Sequence, residues 1–444
     1  MNCNKSDLHC LLHKKLIRKQ PKNYNTLHKN INLPLVTVVL ISFEFFAEKK
    51  MIEFSSALKI VMDHVPKYDK TETVDINDCI NRVLASDISA DRPAPPFNRV
   101  AMDGYACRKN DIGNELKIVE IVPAGKTAEK FINPGECSKV MTGCPLPDGA
   151  EMVFMIEVAV EKNGLVTCTD PEIAKKHENY SKTGEDAKKG DIVIRKGKVI
   201  EPRHIPAIAT NGYSKLVVMK RPVVGIIATG DELVEPFETP LPHQIRNSNS
   251  YQLSAQVIRA GGVPKYYGIV KDDPEKTEKI VKTAKSECDI ILMSGGVSAG
   301  DFDFVADSLV KAGFQIIFDS VAVKPGKPTT FAVSDEVICF GMPGNPVSTF
   351  VIFEIIVRPF IMKMMNADHK PAHVEMILQN GLKRKRVERK EYVPVKILDS
   401  RTVFKPEYHG SGHLTSLADA DGIIVIEKGE HEIASGSKVE VLII

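Results

Sequence analysis

From Arg221 onward the chain alternates short, wholly apolar runs with amphipathic stretches of helical period. Val223-Val-Gly-Ile-Ile-Ala-Thr229 predicts a buried strand, residues 248–260 a helix stopped by Gly261-Gly262, and residues 266–270 a second strand. An amphipathic helix follows at 274–285, started by Asp272-Asp273, then a strand at 289–293 and a helix at 305–312. Residues 314–318 and 337–340 predict further strands, and 346–365 a long apolar helix. Strands that read as continuous apolar runs are buried on both faces, and their alternation with helices argues for a mostly parallel, doubly wound sheet.

The flanks have a different rhythm. Residues 51–66 predict a helix with Ala57, Ile60, Val61 and Val65 on one face and Ser55 or Ser56 placed to cap it. Residues 70–92 are mixed, with 82–86 a strand or helix lead-in, and Pro93-Ala-Pro-Pro-Phe97 is a stiff extended segment. Between 115 and 170, β-prone runs at 116–122, 138–141, 152–160 and 165–168 alternate with turn residues. Residues 175–190 read as loop and 192–200 as a hairpin, while 370–444 return to short β runs ending in a strand at 438–444. The expected fold is α/β multidomain. A doubly wound domain spans 220–366, a β-rich lid domain 89–188, and a small C-terminal β domain 367–444. A linker domain with the lead-in helix is assembled from 51–88 and 189–219.

Residues 1–50 stand apart. They hold nine Lys/Arg against three Asp/Glu, a net of +6; with +2 for the whole chain, residues 51–444 carry 2 − 6 = −4. The apolar run from Leu33 to Phe43 is too short to span a membrane, which needs about 20 residues. Phe45 spoils a small-residue cleavage site. The segment is expected to be a non-native or disordered extension, as an upstream start codon would produce; the alternative is a membrane-associating tail. The mildly acidic body offers no basic face for nucleic acid, and no membrane association is expected of it. Nine scattered cysteines without a Cys-x-x-Cys pair point to unpaired thiols in a reducing, cytoplasmic setting.

The chemistry concentrates in loops that follow apolar runs, where open α/β sheets bind ligands. In Thr229-Gly-Asp-Glu-Leu233, Gly230 permits a sharp turn that sets Asp231 and Glu232 at a strand's carboxyl end; an acidic helix N-terminus would have the same composition. Ser294 to Asp303 combines Gly295, Gly296 and Gly300 with the hydroxyls of Ser294 and Ser298 and the carboxylates of Asp301 and Asp303. Its amides suit an anion, and its two aspartates suit a hard divalent cation or a helix cap. Lys324 and Lys327 flank Pro325-Gly326, ammonium groups on a stiff turn. Pro343-Gly-Asn345-Pro leads into the apolar helix, with Ser348 in its first turn, where free amides favour an anion. Together these features suit a phosphorylated ligand with a divalent metal.

These segments, in this order, resemble the molybdopterin molybdenumtransferase family, the MoeA type related to the C-terminal part of gephyrin. The resemblance runs from Pro95-Pro-Phe and Ala101-Met-Asp-Gly-Tyr-Ala106 through Met141 to Ala150, Gly184-Glu-Asp186, Thr229 to Leu233 and Asn247-Ser-Asn249. It continues through Ser294 to Asp303, Lys324 to Pro328, Pro343 to Pro346, Ser411-Gly-His413 and Ala418 to Gly422, covering about 51–444. It implies a step of molybdenum cofactor synthesis. Adenylylated molybdopterin is bound, its diphosphate bond is cleaved with release of AMP, and molybdate or tungstate is inserted at the dithiolene with Mg²⁺.

The resemblance also implies residue roles. Glu232, Asp301 and Asp303 would hold Mg²⁺ or orient the attacking water. Gly295, Gly296 and Ser298 would cradle the pterin phosphate, and Lys324 and Lys327 would meet molybdate or the diphosphate. Pro343, Asn345, Ser348 and Ser411 complete the expected binding set. Asp103, Thr142 and Asp186 would come from the lid domain, which in the family closes over the other subunit's site, so a homodimer is implied. The adenylyltransferase that supplies the substrate is a further expected partner. Two positions depart from the family pattern: Val100, after Arg99, stands where a serine is usual, and Ser181-Lys182 where an arginine is usual. Two rival readings follow from the same residues. One is a molybdopterin adenylyltransferase, which shares the Ser-Gly-Gly-Val-Ser loop. The other is a non-catalytic scaffold of the gephyrin kind, which the acidic set at 232, 301 and 303 argues against.

Overall fold

The computed structural model describes residues 51–295, 305–368, 370–406, 410, 412 and 415–444. The expectation for residues 1–50 lies outside this range. The centre of the body from Ile52 to Ile444 is a six-stranded sheet. Its strands are β1 (Val223–Thr229), β2 (Val263–Val270), β3 (Ile290–Ser294), β4 (Gln315–Phe318), β5 (Thr330–Val333) and β6 (Ile338–Met342), in spatial order 2-1-3-6-5-4. β2, β1, β3 and β6 are parallel, and β5 runs against both of its neighbours. The mostly parallel doubly wound sheet is therefore present, with β5 an added antiparallel strand that the patterning did not predict.

Burial explains the strand composition. β1, β3 and β6 are covered on both faces, so Ile226, Ile227, Ile291, Leu292 and Phe340 are inaccessible to solvent. Helix α1 (Asn249–Arg259) connects β1 to β2, and α2 (Pro274–Glu287) connects β2 to β3. Asp273 caps α2 as its position predicts, accepting from the amides of Glu275 and Lys276. Helix α3 (Val305–Lys311) leads to β4. The long apolar helix is not uniform: α4 (Pro346–Ile352) passes through a π-helical turn at Phe353–Val357 before Arg358–Met364. At that turn Glu354 is buried between Arg259 and Arg358, 2.5 and 3.1 Å away, and accepts from Gln256 at 2.6 Å. Holding this carboxylate between two helices is a physical reason for the irregularity.

Three smaller β assemblies accompany the sheet. Strands 104–107, 115–122, 136–140, 152–155, 159–162 and 165–168 form a mixed six-stranded sheet, the β-rich element expected from the alternating runs. The run 152–160 is broken by a 3₁₀ turn at Ile156–Val158. In the C-terminal part, Lys390–Ile397, Thr402–Phe404, His373–Leu378, Lys438–Ile443 and Gly422–Ile426 pair in succession. Gly422–Ile426 returns to Lys390–Ile397, so this is a closed five-stranded barrel without free edges. Thr71–Asp75 pairs with Lys215–Met219, and Ile192–Ile194 with Ile88–Ser89. Residues 192–200 are thus not a self-paired hairpin, because their partners lie about a hundred residues earlier in the chain. The lead-in helix is Phe54–Asp63, with Glu53 rather than Ser55 or Ser56 at its N-cap. Among the described residues no helix is long and apolar enough to cross a membrane.

Candidate functional site at the head of the central sheet

The chain leaves β1 for β2 on one side and then crosses to β3 on the other, so the strand order reverses between β1 and β3. Loops at the carboxyl ends of such strands diverge and leave a crevice. The register sets Ala228 beside Ser294 and Ser294 beside Met342, which aligns the ends of β1, β3 and β6. Three of the chemistry-bearing segments therefore start side by side: Gly230 to Glu232, Gly295 and beyond, and Pro343 to Asn345.

Their contact is close. Gly295 has φ +93°, and a Cβ there would sit 2.2 Å from the Thr229 carbonyl oxygen. Only glycine fits at that approach. Thr229 Oγ1 also faces the Ser294 carbonyl at 3.4 Å, and both residues are buried. Gly230 has φ +146°, and the Glu232 carboxylate folds back over it: a Cβ at Gly230 would lie 2.5 Å from Glu232 Oε2. Glu232 is exposed, and its carboxylate accepts no hydrogen bond from the described residues. No helix starts after Gly230. Leu233–Val234 instead pairs with Ile245–Arg246, and Lys271 Nζ donates to the carbonyls of Asp231 and Leu233 at 2.9 and 3.0 Å. The acidic pair at 231–232 is thus no helix cap.

Pro343 is buried, while Gly344 and Asn345 are exposed ahead of α4. Asn345 is the N-cap of α4, with extended backbone, and Ser348 is buried in its first turn. Asn249, at the start of α1, donates its side-chain amide to the Gly344 carbonyl at 2.8 Å, and its Oδ1 is enclosed without a partner among the described residues. Next to it Asn247 is buried, donating to Ser250 Oγ at 3.1 Å and Tyr266 Oη at 2.8 Å. Tyr266 donates in turn to Glu235 at 2.7 Å. Sequence reasoning gave Asn247, Asn249, Glu235 and Lys271 no role. The signal available was the polar Asn-Ser-Asn triplet directly before a helix.

The lysine turn sits elsewhere than expected. Val323–Lys324 is a two-residue strand that joins the barrel by pairing with Lys390–Ile397, so this turn does not end a strand of the central sheet. Lys324 Nζ lies 2.8 Å from Glu391, a half-exposed cation on a nearly buried carboxylate, and is not a free ammonium group. Lys327 is exposed and makes no ion pair with the described residues. Gly326 has φ +109° and packs against Ile352, which would lie 2.5 Å from an added Cβ, so the turn is anchored to the end of α4.

In the β-rich domain Asp103 and Thr142 come together. Asp103 Oδ1 accepts from both the Thr142 amide and its hydroxyl at 2.7 Å. These bonds, the amide's first, hold the Asp103 carboxyl below its ordinary pKa. Asp186 is exposed on a loop zipped to the proline segment, its amide donating to the Ala94 carbonyl at 2.9 Å. Among the described residues no hydrogen bond or ion pair joins Asp103, Thr142 or Asp186 to the loops at the head of the sheet. The departures from the family pattern acquire a geometry. Tyr180–Ser181 pairs with Arg99–Val100, a strand pair that the reading of 175–190 as loop missed, and Ser181 lies directly opposite Arg99. Cross-strand Cβ atoms are about 5 Å apart, so a guanidinium side chain leaves the ladder beside Ser181. Lys182 is drawn to Glu178 at 3.4 Å. Gly296, Ser298, Asp301, Asp303 and Ser411 lie outside the described residues.

A doubly wound domain whose strand order reverses between β1 and β3, with a β-rich domain and a closed C-terminal barrel in the same chain, defines a multidomain α/β protein. Three family models match in order: the MoeA N-terminal region (domain I and II) at 52–212, a probable molybdopterin binding domain at 225–363, and the MoeA C-terminal region (domain IV) at 377–444. The molybdopterin molybdenumtransferase of Bacillus subtilis is 36% identical over 393 residues, 86% of this chain and 91% of that protein. The Staphylococcus epidermidis protein of the same name is 33% identical over 405 residues, covering 88% and 95%. The crystal structure of the molybdopterin biosynthesis moeA protein from Pyrococcus horikoshii OT3 superposes with a TM-score of 0.78 at 31% identity, covering 89% of this chain and 100% of that one. The chain belongs to the molybdopterin molybdenumtransferase family, enzymes of molybdenum cofactor biosynthesis.

Proposed function

We propose that this protein inserts molybdate, or tungstate, into adenylylated molybdopterin, cleaving the diphosphate bond and releasing AMP. The observation that carries the reading is the alignment of the ends of β1, β3 and β6 at the point where strand order reverses, with glycine at the closest approach. Amides following Gly295, in Gly296 and Ser298, bind the pterin phosphate, and Asn249 steadies the Pro343 to Asn345 loop that borders it. Ser348 and Ser411 complete the binding set. Lys327 is the turn's available cation, since Glu391 holds Lys324. An oxyanion that binds Lys324 competes with that carboxylate.

Mg²⁺ fits the chemistry of the donors. Glu232 presents an exposed carboxylate that accepts nothing from the described residues, a hard oxygen ligand at a strand end. No group of three or more His, Cys, Asp or Glu among the described residues could hold a metal ion, and the two other carboxylates of the proposed set lie outside them. Glu232, Asp301 and Asp303 would hold the ion. Bound there, it would neutralise charge on the diphosphate. Asp103, Thr142 and Asp186 act from the lid domain on the site of a second copy, in a homodimer. The bonds from Thr142 keep Asp103 ionised, and Arg99 supplies the cation at the Ser181 position. The seven cysteines among the described residues are buried and unpaired, which suits a cytoplasmic setting.

The test separates binding from turnover. Glu232→Gln is expected to bind adenylylated molybdopterin as the wild type does while AMP release falls by about two orders of magnitude, the usual loss for one electrostatic group in a site. Unchanged turnover removes Glu232 from the mechanism. Formation of the adenylylated compound from ATP and molybdopterin would favour the adenylyltransferase reading, and bound substrate without any turnover the scaffold reading.

A further inference from the structure

An open cavity of 620 Å³ lies at the foot of the central sheet, where β1, β3 and β6 begin. The ladder between Thr71–Asp75 and Lys215–Met219 sets Thr71 opposite Met219, and the Lys220 amide donates to the Lys70 carbonyl at 2.9 Å. The register thus brings Lys70 and Lys220 together at the ladder's end, with Arg221 next in the chain. Tyr68 also lines the cavity; it is 5% exposed, and its hydroxyl is enclosed with no partner among the described residues.

Arg221 is the unusual group. It is half-buried, its Nε is fully enclosed, and it makes no hydrogen bond or ion pair with any described residue. One of its five donors, the Nε–H, is enclosed without an acceptor, which is unfavourable, while the Nη groups are not enclosed. Glu72, a carboxylate whose charge favours the Arg221 cation, is taken by Arg82 at 2.5 Å. Burial first, and then the charge of Arg82, press the Arg221 pKa down, which marks a cation short of counter-charge. Lys220 is exposed and equally without a partner among the described residues.

The acidic groups around the cavity divide into two sets. Asp289 is held by Lys70 Nζ at 2.6 Å and by the Val223 amide at 2.8 Å, and Glu287 by Lys265 at 2.8 Å. Asp335 and Glu336, in the turn between β5 and β6, are exposed and make no ion pair with the described residues. An anion entering the cavity therefore seats on the Lys220 and Arg221 side, away from that turn.

We infer that this cavity is a second anion site, taking a phosphate group, free or carried on a small organic molecule, on Arg221 and Lys220. β1 has seven residues, so the site lies roughly 20 Å from the loops at the head of the sheet. It is independent of the activity proposed above.

Calorimetric titration of the full chain with inorganic phosphate, and separately with phenyl phosphate, at constant ionic strength tests it. Binding is expected to weaken about tenfold or more in Arg221→Gln and in Lys220→Gln, as loss of a charge-assisted hydrogen bond dictates, and to stay unchanged in Lys215→Gln, an exposed lysine at the other end of the Lys215–Met219 strand. Tighter binding of phenyl phosphate identifies a carried phosphate; equal affinities identify the free ion. Because Arg221 has no partner to lose, Arg221→Gln without ligand is expected to melt no lower than the wild type. Wild-type affinity in Arg221→Gln and Lys220→Gln, an equal loss in Lys215→Gln, or no binding at all would overturn the inference.

Discussion

Gly295→Ala probes the head of the sheet directly. At φ +93° an L-residue carries strain of about 1–3 kcal/mol. The added Cβ would also stand 2.2 Å from the Thr229 carbonyl oxygen, while real Cβ contacts are not seen below 3.0 Å. The ends of β1 and β3 must part by at least 3.0 − 2.2 = 0.8 Å. Neither atom can yield cheaply, since both belong to or stand on the backbone of buried strands, and overpacking of this kind adds about 1 kcal/mol or more. The expected loss of stability is therefore about 2–4 kcal/mol by urea unfolding. A displacement near 1 Å at loops that position a reacting group costs about a hundredfold in rate, so single-turnover AMP release should fall by that order. Gly344→Ala is the matched control, because nothing lies within 4 Å of its Cβ position and its φ is not positive. It should stay within about 0.5 kcal/mol of the wild type. If Gly295→Ala unfolds and turns over like the wild type, the close approach of the two strand ends is not a feature of the working site.

Other consequences are open to measurement. Glu354→Ala leaves Arg358 and Gln256 facing an empty buried position and should destabilise by about 3 kcal/mol; a loss below about 1 kcal/mol in urea unfolding would contradict the buried network. Burial pushes the Cys107 and Cys137 thiols up to about 12, so native protein at pH 8 should resist iodoacetamide at both; rapid labelling there, mapped by peptide mass, would refute the packing. A raised thiol pKa means that this contribution to stability is complete below the ordinary thiol value and is lost as pH rises toward about 12. Thr142→Val removes the hydroxyl donor to Asp103 and should raise that carboxyl toward its ordinary value, read by NMR titration. The lowered pKa of Asp103 contributes stability above the ordinary carboxylate range, lost as pH falls through the folded value; an unmoved titration in Thr142→Val would show that the hydroxyl does nothing there.

The central sheet was the most legible part of the chain because its strands are buried on both faces. The runs 223–229 and 289–293 match β1 and β3 within a residue, and Asp273 caps α2 as its position demands. β5 was missed because Thr330-Phe-Ala-Val333 is short and follows a proline turn whose own strand belongs to the barrel. Long-range pairing was equally hidden. Ile192–Ile194 reads as half of a hairpin until the partner at Ile88–Ser89 is known, and Tyr180–Ser181 sits in a polar stretch that only Arg99–Val100 makes a strand. For the candidate site, glycines that permit close approach were visible as spacing, as at Gly230 and Gly295. Lys324 was read as a free cation because its partner Glu391 lies 67 residues away in another domain, and no local pattern reports such a pair. Asn249 belongs to a matching segment but carries no assigned role in the sequence for the same reason, since that role depends on the Gly344 carbonyl.

The central claim is that this chain couples cleavage of adenylylated molybdopterin to insertion of an oxyanion. Its most direct measurement is AMP released from that substrate by the full chain with Mg²⁺, in the presence of molybdate, of tungstate and of neither. Release is expected to depend on the oxyanion and to be lost in Asp301→Ala. AMP release at the same rate without any oxyanion, or none at all from demonstrably bound substrate, would contradict it.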